Sequence, residues 1–295
     1  MALGLQILLC CVIPASILLG LLRFRKWKQA RIDLRAPVET QLLRAPGESL
    51  QKKIEDLDDK LGEALMSAML LPPVTLLLLA VWHKGAVPQR IPELIGFYSA
   101  SVAAFAFYAR RVFKLRDEIQ NHSLGLSGER AVGEELNKLM LDGCFVYHDF
   151  PADPKWNIDH VIVAPSGVYI VETKTRRKRK AVAGKRDHEL LYDGEAIEFP
   201  HDERSRYGLD QAVGNAKWLS GYLSSATGEK VWVQPILTFP GWFIINRVPP
   251  GNSLAVLAPK QIRPYVLKSG SPTLTAASME RIKHQLEQKC RDVEF

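Results

Sequence analysis

Three long apolar runs precede a region in which polar and apolar positions recur at short, regular intervals. Residues 1–22 contain no Asp, Glu, Lys or Arg, and a second uncharged stretch covers residues 64–82. The third run, residues 94–109, is sixteen residues long. Runs of about twenty apolar residues are typical of membrane-spanning helices. We therefore predict a membrane region over residues 1–120, with about three transmembrane helices near 2–22, 64–82 and 92–109.

Basic residues indicate how these helices would be oriented. Arg and Lys crowd after the first and third runs, whereas only Lys84 and Arg90 lie between the second and third. Because loops rich in Lys and Arg stay in the cytoplasm, we expect the N-terminus outside and all residues after Arg110 inside, in a multi-pass inner-membrane protein. Two alternatives remain: the first run is a cleaved signal peptide, or the third is a buried helix, which would leave fewer spans.

A short amphipathic helix is predicted between the first two runs. Leu50, Ile54, Leu57 and Leu61 recur at helical spacing among charged residues, which places a cytoplasmic juxtamembrane helix at about residues 46–63. Such a helix can be solvated or can mediate dimerisation, so the oligomeric state stays open.

The pattern from Gly128 onward predicts an α/β domain. Val132, Leu136 and Leu139 have helical spacing, and Gly143 is a stop signal. Three strands follow, at 145–147, 158–163 and 168–174, with a loop at 151–155 and a tight turn at 164–167. Both faces of the 158–174 hairpin are apolar, so helices should cover the sheet on both sides.

The rest of the chain continues the alternation of strands and helices. Asp193-Gly194 predicts the turn of a second hairpin formed by residues 189–192 and 196–199. Further elements are predicted in the following order: a helix at 211–223, strands at 231–239, 243–245 and 254–257, and a final helix containing Met279, Ile282 and Leu286. We expect a domain over residues 121–245 and a strand–helix extension over 246–295 packed on it.

Composition limits the classes of protein. With 47% hydrophobic and 24% charged residues, the chain is neither disordered nor collagen-like. Its four cysteines form no zinc-binding pattern and no disulfide framework, which favours a reducing compartment. The net charge of +7 suggests an anionic partner, although basic residues beside membrane helices give the same sum.

Asp159, Glu172 and Lys174 are the candidates for chemistry. Glu172 and Lys174 are two residues apart and project from one face of their strand. If the two-residue turn before Gly167 pairs its flanking residues, Asp159 lies opposite Glu172, whereas a bulge at Gly167 would place it opposite Thr173. Opposed carboxylates repel, so a divalent cation is the natural counter-charge, and a surface ion cluster is the alternative.

Two further side chains could join this group. Glu129 lies beside the inward face of its helix, where it could reach the sheet, or it is a solvated first-turn glutamate. Gln211 opens a helix and could present its amide to a substrate.

A basic run follows the candidate site directly. Thirteen residues from Lys174 to Arg186 carry eight cations and no acid. This charge could hold a phosphate backbone without reading bases, lie on anionic lipid, or be a solvated loop. The candidate nucleic-acid-binding residues are Arg176, Arg177, Lys178, Arg179, Lys180, Lys185 and Arg186.

Three motifs together resemble the nuclease-related domain (NERD) of the PD-(D/E)XK phosphodiesterase superfamily. They are GERAV at 128–132, NIDHVIVAPSGVYIVETK at 157–174, and Gln211 at a helix start. The resemblance covers about residues 125–245 and implies a restriction-endonuclease-like α/β fold with a central mixed sheet flanked by helices. One departure is Ile158, where the superfamily pattern has proline.

The resemblance also implies roles for the candidate residues. Asp159 and Glu172, with the Thr173 carbonyl, would hold Mg²⁺ or Mn²⁺. Lys174 would orient or activate the attacking water, Glu129 would support the metal site, and Gln211 would contact substrate.

The leading hypothesis is a membrane-anchored, cytoplasm-facing, metal-dependent nuclease whose partners are nucleic acid, with DNA favoured over RNA, and membrane lipid. The first alternative is a membrane-tethered nucleic-acid-binding module with the same fold and little turnover. The second is a structural or signalling membrane protein in which the acids form a regulatory ion site.

Overall fold

The computed structural model describes most of the chain beyond residue 41. The described residues are 42–82, 91–153, 156–178, 188–200, 202–248, 253–268 and 273–291, together with Gly20, Arg23, Phe24 and Trp27. They fall into two compact units, the first taking in Lys53–Asn121 and the second Thr40–Lys52 and His122–Phe295. Apart from Gly20, the predicted span at 2–22 lies outside the described residues.

Most of the described residues of the first unit belong to two long helices, which both extend into the second unit. Helix α1 is Glu48–Trp82, which remains helical through Pro72 and Pro73, and helix α2 is Ile91–Asn137. Within the first unit, Leu57 and Ala64 of α1 pack with Leu115 of α2. The predicted amphipathic helix is therefore the first part of α1. Among the helices of the described segments, none is both long and apolar enough to cross a membrane.

The second unit includes the last part of α2, from His122 to Asn137. A 3-10 helix, Lys138–Asp142, continues from α2 and stops at Gly143, whose φ of 78° lies in the left-handed region that glycine adopts without strain. The predicted apolar repeat and its glycine stop are confirmed, but this helix does not begin near Gly128, because it is the last part of α2, which begins at Ile91.

The remaining elements alternate between strands and helices. The strands are β1 (Phe145–Asp153), β2 (Trp156–Ala164), β3 (Gly167–Thr173), β4 (Glu189–Tyr192), β5 (Ile197–Glu198), β6 (Val233–Thr238), β7 (Phe243–Asn246) and β8 (Ala255–Leu257). The helices are α3 (Leu209–Thr227), α4 (Pro259–Lys268) and α5 (Ala276–Cys290).

A five-stranded mixed sheet forms the centre of this unit. Its strand order is β1-β2-β3-β6-β8, with β1, β2 and β3 antiparallel and β6 and β8 parallel to β3. A smaller sheet has the order β5-β4-β7, and its β4–β5 hairpin turns where Asp193 accepts hydrogen bonds from the Glu195 and Ala196 N–H groups. The expected mixed sheet is confirmed.

Hydrophobic cores lie on both faces of the central sheet. Neighbouring residues of β3 illustrate the alternation, since Ile170 and Val171 belong to different cores. The first core adds Leu219 of α3 and Ile282 of α5, and the second adds Val132 of α2 and Ile262 of α4. Helices therefore flank both faces, as the apolar hairpin predicted.

Two further sequence predictions differ from the structure. Residues 151–153, predicted as loop, extend β1, because the pairing with β2 continues past an irregularity between Pro151 and Asp153. Helix α4 was not predicted. It contains Pro264 and buries only Ile262 and Val266, which is too short an apolar repeat to show a helical period.

Candidate active site

The β2–β3 hairpin has the register that brings Asp159 towards Glu172. Ala164 pairs with Gly167 and His160 with Val171, so no bulge shifts the strands. Pairing between the two strands ends there, and the Thr173 N–H donates to Asp159 Oδ2 at 2.7 Å. β3 stays paired with β6 through Thr173, which keeps the end of this strand in place.

Glu172 is held on both of its carboxylate oxygens. Lys174 Nζ donates to Oε1 at 2.8 Å, and Asn215 Nδ2 donates to Oε2 at 2.9 Å. Lys174 Nζ also donates to Gln211 Oε1 at 2.8 Å. Gln211 and Asn215 are four residues apart on α3, so one face of this helix supports both the lysine and the glutamate. The contact of Asn215 was not predicted, because an asparagine in a helix carries no local signal of a partner 43 residues away.

Glu129 joins this group from the second unit's part of α2. Its side chain is buried, and Oε2 has no hydrogen-bond partner among the described residues. Burial, followed by the Asp149 and Glu172 carboxylates, raises the pKa of Glu129 to about 8, while Lys174 acts to lower it. The solvated alternative for Glu129 is therefore wrong.

Burial and mutual repulsion govern the electrostatics of the site. Burial and the Glu172 and Glu129 carboxylates raise the pKa of Asp159 well above its ordinary value, against the hydrogen bond from Thr173. Burial also raises the pKa of Glu172, although Lys174 opposes the shift. Burial alone would lower the pKa of Lys174, but Glu172 and Asp159 outweigh it and raise the pKa. Three carboxyl groups share one ammonium, so ionising all three is unfavourable without further positive charge.

The side chains present suit a hard divalent cation. Carboxylate and carbonyl oxygens are the donors that Mg²⁺ takes in proteins. Among the described residues, Glu129 Oε2 is buried without a hydrogen-bond partner, and the raised carboxyl pKa values show that ionising these groups is costly, a cost that a bound cation would remove. Within the described segments, no three His, Cys, Asp or Glu side chains converge closely enough to form a metal cluster by themselves. The expected set has two carboxylates, Asp159 and Glu172, and the Thr173 carbonyl.

A buried hydrogen-bond network around Asp149 lies beside the site and was missed from the sequence. Asp149 accepts from Arg44 Nη1 at 2.9 Å, from the Ser49 N–H and Oγ at 3.1 and 2.6 Å, and from Asn157 Nδ2. Its φ of 49° is a left-handed backbone conformation that aspartate tolerates better than most residues. Two of these partners lie 100 or more residues away along the chain, so no local pattern could reveal them.

The basic run is only partly described. Arg176 forms an ion pair with Asp202 at 2.6 Å and lies over the Phe199 ring at 4.3 Å, and Lys178 lies over the Trp242 ring at 5.5 Å. Arg177 is also described, whereas Arg179, Lys180, Lys185 and Arg186 lie outside the described residues. Arg176 therefore has a packing role whether or not it binds an anion.

Comparison with known families assigns a domain to this region. Residues 124–240 match the family described as the nuclease-related domain, NERD. The match contains Glu129, Asp159, Glu172, Lys174 and Gln211. No curated protein and no solved structure matches the chain.

Proposed function

We propose that this protein is a membrane-anchored nuclease that hydrolyses nucleic-acid phosphodiester bonds with the help of a divalent cation, Mg²⁺ or Mn²⁺. The nuclease-related domain implies nucleic acid as the substrate. One observation carries the catalytic part of the proposal: Lys174 Nζ bridges Glu172 Oε1 and Gln211 Oε1 beside the buried carboxyl groups of Asp159 and Glu129.

This arrangement suits the chemistry of phosphodiester hydrolysis. Negative charge develops on the phosphoryl oxygens and the leaving group, so the site must supply positive charge there. A divalent cation held by Asp159, Glu172 and the Thr173 carbonyl would neutralise phosphoryl charge and lower the pKa of a bound water.

The chain's own residues position the reaction. The Lys174 ammonium, fixed between Glu172 and Gln211, can orient an attacking water and stabilise developing charge. Asn215 holds the other oxygen of Glu172, so that this carboxylate keeps one orientation. Glu129, whose pKa is raised to about 8, adds a carboxyl group whose ionised form a bound cation would favour.

The basic run supports binding of the substrate's phosphates. Lys178 and Arg177 follow β3 a few residues after Lys174, so a backbone entering the site would meet them. Contacts of this kind position nucleic acid without reading its bases. DNA remains our expectation over RNA.

The membrane part of the proposal rests on the apolar runs and on the distribution of charge. A chain anchored by its N-terminal region, with the basic flanks inside, places the nuclease-related domain in the cytoplasm, where nucleic acid is present.

Cleavage assays on the full-length chain test the catalytic proposal. Labelled single- and double-stranded DNA and RNA are incubated with Mg²⁺, Mn²⁺ or EDTA. We expect metal-dependent cleavage that falls by at least about 100-fold in Asp159→Asn and Lys174→Gln, the scale of losing one transition-state contact. Lys217→Gln, an exposed lysine of α3, is the matched control and should cleave normally.

Two results would refute the catalytic assignment. One is cleavage that persists in EDTA, and the other is equal cleavage by Lys174→Gln and Lys217→Gln. Salt-sensitive binding without cleavage in any metal would favour the tethered binding module instead.

A further inference from the structure

A cavity of about 460 Å³ opens beside the start of β2, the strand that carries Asp159. Its lining includes Trp156 and Asn157 of β2, Arg44, Ser49 and Lys289. The volume lies within the range of pockets that bind small molecules and is of the size that one nucleotide requires.

Strand β2 connects the cavity to the candidate site, because it carries both Asn157 and Asp159. Asn157 and Asp159 are two residues apart on β2, about 6.6 Å along the strand. Asp149 accepts a hydrogen bond from Asn157 and also interacts electrostatically with Glu129. A strand of nucleic acid whose phosphate lies at Asp159 could therefore place a neighbouring nucleotide in the cavity.

Three aromatic rings, those of Trp156, Trp218 and Tyr222, pack against one another beside the cavity. Trp156, with 37% of its surface exposed, meets the Trp218 ring edge-on at 5.2 Å. Trp218 stacks on Tyr222 with 5.5 Å between centroids and 5° between planes. Trp218 and Tyr222 follow Gln211 and Asn215 at helical spacing on α3, so the helix that orients the candidate catalytic residues also supports these rings.

A cation completes the lining. Lys289 Nζ lies 4.8 Å from the Tyr222 centroid and 5.3 Å from that of Trp218. Its contact with the Ala152 carbonyl, at 3.4 Å, uses one of its three N–H donors. An aromatic face and an ammonium side by side match a base and its phosphate.

We propose that this cavity is a subsite for one unstacked nucleotide, whose base stacks on Trp156 and whose phosphate meets Lys289. The inference rests on the proposed function and defines its substrate as single-stranded nucleic acid or frayed ends. Bases within a duplex are stacked on their neighbours, so their faces are unavailable to Trp156.

A second cavity provides the natural comparison. It has a volume of about 350 Å³ and is lined by Trp232, Tyr169 and Lys230 beside the β2–β3 turn. This turn is at the opposite end of β3 from Glu172, so a nucleotide there would not adjoin the candidate site. Trp232 is 66% exposed and therefore serves as a matched control tryptophan.

Binding measurements without turnover test the subsite. The full-length chain is titrated in EDTA with a fluorescent eight-nucleotide single strand and with the corresponding duplex. We expect tighter binding of the single strand. Trp156→Leu, which keeps an apolar group against Trp218, should weaken single-strand binding by about tenfold, the loss of one base–aromatic stack. Trp232→Leu should leave it unchanged.

The contribution of the Lys289 ammonium is tested by the same binding titration. Lys289→Gln should weaken single-strand binding and reduce its salt dependence by about one ion. Lys283→Gln, on the same helix and lying over Phe145, is the matched control. Circular dichroism of each variant shows whether it is folded. If Trp156→Leu is unstable, the comparison of single-strand binding by Lys289→Gln and by Lys283→Gln tests the subsite instead.

The outcomes separate this inference from the proposed function. Normal single-strand binding by both Trp156→Leu and Lys289→Gln would overturn the subsite even if the enzyme cleaves. Selective loss of single-strand binding would support the subsite even if no metal permits cleavage. Equal binding of single strand and duplex by the wild-type chain would also overturn it.

Discussion

Glu129 should make the metal-free protein less stable as the pH rises. Its carboxyl is buried and Oε2 has no hydrogen-bond partner among the described residues, and its pKa is raised from 4.5 to about 8. A group whose pKa is higher in the folded state contributes most stability below its unfolded pKa, and this contribution is lost as the pH rises through the folded pKa. Glu129→Gln stays neutral at every pH, so the variant should not lose stability in this window.

The size of the effect follows from the two pKa values. Integrating the difference in bound protons between pKa 4.5 and about 8 gives a cost of about 3 kcal/mol at pH 7 and about 4 kcal/mol at pH 8. At pH 4.5 the two side chains are both largely neutral, and the difference should be small. Glu129→Gln should therefore be the more stable protein at pH 8, by an amount that disappears on acidification.

Urea denaturation of the full-length chain in EDTA, at half-unit steps from pH 4.5 to 8.5, measures this difference. Glu134→Gln is the control, because Glu134 is exposed on the same helix and its replacement should leave the pH dependence unchanged. A stability difference between wild type and Glu129→Gln that is constant with pH, or that favours the wild type at pH 8, would refute the argument.

Three further predictions concern Mg²⁺ binding, the hydrogen bonds of Asp149 and the close packing of Gly128 against Thr175. Mg²⁺ at 100 times its dissociation constant should stabilise the wild type by about 2.7 kcal/mol in thermal denaturation, and less at pH 5, because protons compete for the carboxylates. Asp149→Ala should lower the free energy of unfolding by about 3 kcal/mol, since partly buried Arg44 and Ser49 lose the Asp149 carboxylate, and Asp149→Asn by less, since asparagine still accepts hydrogen bonds and tolerates a left-handed backbone. Gly128→Ala should destabilise by about 1–3 kcal/mol, because its Cβ would lie 1.9 Å from Thr175 Oγ1, whereas Gly221→Ala, with open space at that position, should stabilise by about 0.5–1 kcal/mol. Urea denaturation measures the free energy of unfolding of each variant, which should fall for Gly128→Ala and rise for Gly221→Ala.

The β2–β3 hairpin was predictable because its determinants are local. A two-residue turn and the strict alternation of a strand set which residues oppose each other, so Asp159 could be placed towards Glu172 from the sequence alone. The helix ending at Gly143 was predictable for the same reason, since its apolar repeat and its glycine stop are adjacent.

Long-range contacts could not be predicted in this way. The bond from Asn215 to Glu172 depends on how α3 packs on β3, and that packing is decided by apolar side chains distributed over the whole core. The Asp149 network requires residues 42–52 to fold back onto β1, which no spacing within either segment indicates. The parallel pairing of β4 with β7 likewise joins strands about fifty residues apart.

The cost of the buried carboxyl groups helps to distinguish an enzyme from a binding module. A module that only binds nucleic acid needs cations and aromatic surfaces, such as Lys289 and Trp156, and gains nothing from burying Glu129 without a partner. Asp159 and Glu172 add to that cost, because burial raises the pKa of each. A divalent cation would convert the same repulsion into attraction and recover the stability. We therefore expect the ionised carboxyl cluster to be unfavourable for folding without a cation and favourable with one, which is the basis for proposing a metal-dependent active site.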